Sequence, residues 1–137
     1  MNTLPKSMVA AIALGLSVSS VAHHSFAVFD RTTTVVLTGT VKEVQWVNPH
    51  AWIQVNVPDA RGRITEWGVE CGSPNMMVRT GWKKNLLKPG DKVVVTVNPL
   101  RDGHPNGALV TIRLADGTVL GPGNTPKLLP LGAAKAD

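Results

Sequence analysis

The chain has 137 residues, a formal net charge of +5, one cysteine and no tyrosine. This length fits a single domain, and one cysteine excludes an intramolecular disulfide. The basic residues form no block and only two Phe and four Trp are present. Stacking platforms for bases are therefore scarce, and nucleic-acid binding is not expected.

The N-terminus predicts export. Lys6 precedes an uncharged apolar run from Met8 to Val18, and a small-residue triplet follows that ends at Ala22. This is the pattern of a secretory signal peptide, and the run is shorter than the ~20 residues that a membrane span needs. We expect a signal peptide over residues 1–22, cleavage before His23, a periplasmic mature protein and no transmembrane anchor after cleavage.

Three strands are predicted next. Residues Thr33 to Val47 are rich in β-branched side chains, and the phase of the apolar residues switches near Lys42-Glu43. Together with Gly39, this switch predicts a bulge in one long strand that serves two sheets. Ala51 to Val57 alternates apolar and polar residues, and a turn rich in Pro, Asp and Gly leads to a third strand, Arg63 to Cys71.

One short helix separates these strands from two more. Ser73 can cap it, Pro74 suits its first turn, and Gly81 can end it. Lys92 to Asn98 and Ala108 to Ala115 alternate apolar residues and are predicted as strands four and five.

The resulting order, β-β-β-α-β-β, predicts an all-β fold with one short helix. A five-stranded OB-like β-barrel over residues 23–120 fits this order better than a sandwich, which usually needs about seven strands. Residues 121–137 contain three prolines and no periodicity, so we expect an extended or mobile C-terminal tail.

Several short motifs occur together in the chain: His23-His24-Ser25-Phe26, Asn48-Pro49-His50, Gly81-Trp82 and Leu87-Lys88-Pro89-Gly90-Asp91. The set resembles a family of small exported bacterial proteins, domain-of-unknown-function family 6152. The likeness covers roughly His23 to Gly117. It implies a periplasmic location and an OB-like architecture, and it brings no activity, cofactor or catalytic residue.

The histidines are candidate metal ligands. Cleavage after Ala22 would make His23 the first residue, and its amine and ring nitrogen could chelate one copper(II) ion. His24, His50 and His104 would supply the further imidazoles of a tetragonal site. The alternative is that the terminal histidines are exposed and fortuitous, and that His50 fixes a turn by hydrogen bonding.

The tryptophans suggest a different site. Trp52 is in the opposite phase to the apolar residues of its strand, so we expect it outside the barrel or beneath the helix. With Asn48 and His50 it forms the candidate ligand-binding set. Trp67 shares a face with Cys71 and is expected in the core, where the thiol would be inert.

Catalytic motifs are absent. Glu66 and Glu70 would stand about 13 Å apart on one strand, too far for a retaining glycosidase pair, and they are expected to form a solvated face. No nucleophile motif is present. We therefore expect a non-enzymatic periplasmic binding module for a small ligand or an envelope protein, with copper binding as the alternative.

Overall fold

The computed structural model describes residues 27–122 and 124–128, and the structural statements below concern these residues. The predicted signal peptide, His23 and His24 lie outside them. In chain order the elements are β1 (Val35–Gln45), β2 (Trp52–Pro58), β3 (Ile64–Glu70), α1 (Pro74–Arg79), β4 (Lys92–Pro99), β5 (Asn106–Leu114), β6 (Thr118–Gly121) and β7 (Asn124–Leu128).

Five of these strands close a barrel. In the order β3-β2-β1-β4-β5, neighbouring strands are antiparallel. The ring closes where β5 pairs in parallel with β3, from Gly68 opposite Asn106 to Glu70 opposite Ala108. With α1 between β3 and β4, this is the OB-type arrangement. The predicted fold class and element order are confirmed.

The long first strand bends so that it can serve both sides of the barrel. Its first half pairs with β4 and its second half with β2, and the register shifts between Val41 and Glu43. This is the predicted bulge. At Gly39 a side-chain carbon would collide with the backbone carbonyl of Asn56. Because only glycine leaves that space empty, β2 can approach β1 closely at the bend.

The barrel interior is filled by the apolar residues of the alternating strands. Ile53 and Val55 of β2 face Val69 of β3 inside, and all three are almost fully buried. Each such side chain contributes roughly 1.5–3 kcal/mol when removed from water. The same core cluster contains Leu37, Val41, Val93, Val95, Val97, Leu109 and Ile112 of the barrel strands, and Leu120 of β6.

The helix forms as the sequence predicts. The Ser73 hydroxyl accepts a hydrogen bond from the Met76 backbone N–H at 3.4 Å, and Pro74 occupies the first turn. Met77 and Trp82 are buried and join the core cluster. Within the described part of the chain, no helix is long and apolar enough to cross a bilayer.

A hairpin outside the barrel was not predicted. β6 pairs with β5 and β7 pairs with β6. Both strands are short and the segment contains prolines, so they lack the alternation that identifies a strand. β4 occupies one edge of β5, and β3 and β6 follow one another along the other edge. Their pairing therefore depends on an edge that only the folded barrel provides.

Candidate functional site

The outer surface of β2 and β3 carries the predicted tryptophan. The ladder pairs Trp52 with Glu70 and Gln54 with Gly68. Since Ile53, between them, is buried in the core, these four residues face outward. Trp52 is partly exposed. Of the two predicted positions, the structure therefore supports the one on the outside of the barrel wall.

A glycine keeps this surface open next to Trp52. A side-chain carbon at Gly68 would collide with the Oδ1 atom of Asn106 and would lie 3.4 Å from the Oε1 atom of Gln54. The amide side chains of Gln54 on β2 and Asn106 on β5 thus converge above Gly68, which has no side chain. Gly68 and Asn106 were not predicted as site residues, although a glycine inside a strand often marks a close approach.

At one end of this surface, His50 contacts a buried carboxylate. The Nδ1 atom of His50 lies 2.6 Å from the Oε1 atom of Glu70, and the two side chains are 25% and 7% exposed. The prediction that Glu70 belongs to a solvated face is wrong. Glu66 is exposed as expected, and it forms an ion pair with Lys42 at 2.5 Å.

The register explains how the loop residue reaches the strand. The Cys71 backbone N–H donates to the Ala51 carbonyl, and the Ala51 N–H donates to the Gly72 carbonyl. These bonds extend the β2–β3 ladder by one residue and place His50 just past it. From there the imidazole reaches back to Glu70.

This contact engages the Nδ1 atom of the imidazole. A carboxylate that holds Nδ1 fixes the orientation of the ring and favours the Nδ1–H tautomer. In this tautomer Nε2 is the acceptor nitrogen of the ring. Asn48, the third residue of the predicted set, is exposed in the loop before His50.

The structure does not bring His50 and His104 together. Ala51 lies beside Cys71 and Gly72, whereas the Pro105 carbonyl accepts a hydrogen bond from the Gly68 N–H. These anchor points are separated by about 10–13 Å of strand, and each histidine lies beyond its own anchor. No group of three or more His, Cys, Asp or Glu residues suited to hold a metal ion is found among the described residues.

His104 has its own carboxylate partner. It is 73% exposed, and its Nδ1 atom lies 3.2 Å from the Oδ1 atom of Asp102. The backbone N–H of His104 also donates to Asp102 at 3.0 Å. This backbone hydrogen bond is the main cause of the lowered pKa of Asp102. The pair is a solvent-exposed loop contact.

A cavity of about 510 Å³ lies on the other side of Glu70. It lies beside β5, between the segment that pairs with β3 and the segment that pairs with β6. The thiol of Cys71 lines it, is buried, and has a pKa raised to about 12, chiefly by burial. A thiol with this pKa stays protonated at neutral pH, as the sequence analysis expected. Other lining residues are Arg31, Met76, Asn98, Leu109 and Pro122.

The chain belongs to a protein family of unknown function, DUF6152, whose model matches residues 11–109. The predicted membership of this family is thereby confirmed. No curated protein and no solved structure matches the chain. Because the family has no described activity, a functional proposal must rest on the chemistry of the site itself.

Proposed function

We propose that this protein is a non-enzymatic binding module of the OB type that acts in the bacterial periplasm after export. Its ligand is a small molecule or an envelope protein. The ligand contacts the β2–β3 face, which we define as His50, Trp52, Gln54, Glu70 and Asn106 around Gly68.

The observation that carries this proposal is the His50–Glu70 contact beside a partly exposed tryptophan. A carboxylate that is 7% exposed loses most of its hydration, and pairing offsets this cost only when the geometry is good. An apolar residue at this strand end would stabilise the barrel at least as well. An oriented imidazole is therefore better explained by recognition than by stability.

The rest of the face supports the same conclusion. Tryptophan supplies a large, rigid contact area at low cost in conformational entropy. Gln54 and Asn106 offer amide groups that can both donate and accept hydrogen bonds. The combination of one apolar anchor with a few oriented polar groups is typical of binding sites. We assign no reaction to the His50–Glu70 pair, since no nucleophile accompanies it on this face.

Photo-crosslinking in intact cells tests the proposal. The full-length chain is exported with benzoylphenylalanine in place of Gln54, and the matched control has it in place of the exposed Lys83. We expect an adduct of defined mass at position 54, absent at position 83 and lost in Trp52→Ala. Native mass spectrometry of protein isolated gently from the periplasm covers the case of a small ligand. Equal labelling at both positions, together with no co-purifying mass, would contradict the proposal.

A second candidate function is copper(II) binding at the mature N-terminus. Its support is the anchoring of Ala27, the first described residue: Arg101 donates from Nε to the Ala27 carbonyl at 3.3 Å. Arg101 belongs to the same loop as His104. His24 and His23 precede Ala27 by three and four residues, so the chain length allows them within about 14 Å of it.

Electron paramagnetic resonance tests this candidate. Protein whose intact mass confirms His23 as the first residue is titrated with copper(II). One tight equivalent with nitrogen hyperfine structure is expected, and it should be lost when a glycine precedes His23. His104→Ala should weaken it, whereas His50→Ala should not. Binding that tolerates the added glycine would eliminate the chelate.

A further inference from the structure

A groove of about 570 Å³ lies on the barrel at the bend of β1. Residues of β1, β4, β5 and the β2–β3 hairpin line it. We call it the β1 groove and define it by Thr38, Pro58, Ile64, Lys92, Val94 and Arg113. Asn56 and Pro58 of β2 line the groove, and none of the lining residues belongs to the β2–β3 face as defined.

The floor of the β1 groove is apolar. Val94 contributes an aliphatic side chain on the outer face of β4, and Pro58 and Ile64 form a wall on the hairpin. Val93 and its ladder partner Leu114 also line the groove, but their side chains pack toward the core. Ile64 is 58% exposed. This exposure is unfavourable, because burying apolar surface would stabilise the fold by roughly 25 cal/mol for each Å². An apolar groove of this size that remains open to solvent indicates a binding surface.

Two cationic side chains, Lys92 and Arg113, line the groove. The ladder pairs Thr40 with Lys92 and Val94 with Arg113. Lys92 and Arg113 therefore point to the same side of adjacent strands in a diagonal relation, with about 7–8 Å between such positions. A lysine and an arginine at this spacing can hold one anionic group between them.

The acidic residues next to the groove each form another contact, although Asp91 and Asp116 line an adjoining cavity that shares Lys92 with the groove. None of the lining residues is acidic. Asp59 on the hairpin forms an ion pair with Arg63 at 2.7 Å, and Asp91 accepts a hydrogen bond from the Lys88 N–H at 2.8 Å. Within the described part of the chain, neither Lys92 nor Arg113 forms an ion pair.

We propose that the β1 groove binds a single-chain amphiphilic anion, with the hydrocarbon chain on the apolar floor and the anionic head between Lys92 and Arg113. A neutral apolar ligand would leave two cations uncompensated, and a cationic amphiphile would be repelled. The head is a carboxylate or a phosphate monoester, since both present anionic oxygens to the guanidinium fork.

Residues 129–137 lie outside the described residues, and the experiment has to test them as an alternative occupant. β7 ends at Leu128, which pairs with Thr118, and the turn before Thr118 begins at groove residue Ala115. The experiment must therefore separate an external amphiphile from this segment of the chain, and from an anionic membrane surface.

Isothermal titration calorimetry on the mature full-length protein tests the proposal. The probes are dodecanoate, dodecyl phosphate and dodecyltrimethylammonium, each below its critical micelle concentration. One equivalent of an anionic probe should bind and the cationic probe should not. The two anionic probes distinguish a carboxylate head from a phosphate head.

Variants locate the site. The double variant Lys92→Gln/Arg113→Gln should bind the preferred anion at least about tenfold more weakly, as expected for lost charge-assisted hydrogen bonds. The control Lys83→Gln/Lys84→Gln removes the same charge from exposed positions, and it should stay within about twofold. Ile64→Ser should weaken binding of the probe's hydrocarbon chain. Circular dichroism checks that each variant folds.

Three results would overturn the proposal. Equal loss in both double variants would show a nonspecific charge effect. Binding that appears only after truncation at Leu128 would show that the C-terminal segment occupies the groove. Sedimentation with anionic vesicles without binding of the monomeric probes would show a membrane-binding surface instead.

Discussion

Replacing His50 by alanine removes the ring that contacts the buried carboxylate of Glu70. The Nδ1–Oε1 distance is 2.6 Å, and the Glu70 side chain is only 7% exposed. Without the imidazole, this carboxylate must stay buried without its histidine partner or must rearrange toward solvent. Either outcome raises the free energy of the folded state.

The expected loss follows from the degree of burial. Removing one partner of a fully buried pair costs about 3–5 kcal/mol. His50 is itself 25% exposed, so water can replace part of the contact, and we expect a loss of about 2–3 kcal/mol for His50→Ala. Glu70→Gln keeps an acceptor for an Nδ1–H donor and removes the charge, so its cost should be smaller, about 1 kcal/mol.

Urea unfolding at pH 7, followed by tryptophan fluorescence, measures these losses. A double-mutant cycle with His50→Ala/Glu70→Gln isolates the contact, and we expect a coupling energy of at least ~1 kcal/mol. His104→Ala is the matched control, because this histidine also contacts a carboxylate but is 73% exposed, and it should not change the midpoint. A loss below about 0.5 kcal/mol for His50→Ala, or additive single variants, would refute the reasoning.

Three further predictions concern single positions. Gly39→Ala should destabilise the barrel by about 1–3 kcal/mol in urea unfolding, because the new methyl group meets the Asn56 carbonyl. The control Gly72→Ala should be close to neutral, because its methyl group has ordinary neighbours at 3.7 Å. Equal losses of stability in the two variants would contradict the packing argument. Cys71, with its pKa raised to about 12, should resist iodoacetamide at pH 8 until the chain unfolds in urea. Its contribution to stability is present below pH 9.0, where the thiol of the unfolded chain is still protonated, and is lost as the pH rises through 12. Asp30 has a pKa lowered to about 2, chiefly by hydrogen bonds from Thr32. Its contribution to stability is therefore present above pH 3.8 and is lost as the pH falls through 2. Asp30→Asn should flatten the acid limb of a stability–pH profile, and an unchanged limb would show that these hydrogen bonds do not contribute to stability.

The candidate site was only partly predictable from the sequence. The alternation in β2 correctly separated Trp52 from the core residues, because side chains of a strand alternate between its two faces. The same rule placed Glu70 on an outer face and therefore predicted exposure, which is wrong. Burial of an outward-facing residue depends on what covers it, and here the loop before β2 brings His50 against it.

The arrangement of the histidines could not be predicted from the sequence either. Their residue types are suited to copper, but ligation needs several rings at one point in space. His50 follows the β2–β3 register past the end of β3, whereas His104 lies beyond the anchor at Gly68. The sequence contains no signal for this separation. It also contains none for the diagonal placement of Lys92 and Arg113, since these residues lie on different strands.

The sequence by itself determined the five barrel strands, the short capped helix, the bulge in β1 and the element order β-β-β-α-β-β. These features depend on period-two hydrophobic alternation and on local backbone preferences of Gly, Pro and Ser, which act over a few residues. The tertiary structure decided the β6–β7 hairpin, the burial of Glu70, the divergence of His50 and His104 and the cation pair of the β1 groove. Each of these depends on strand register, which brings distant segments together and is set only when the whole barrel closes.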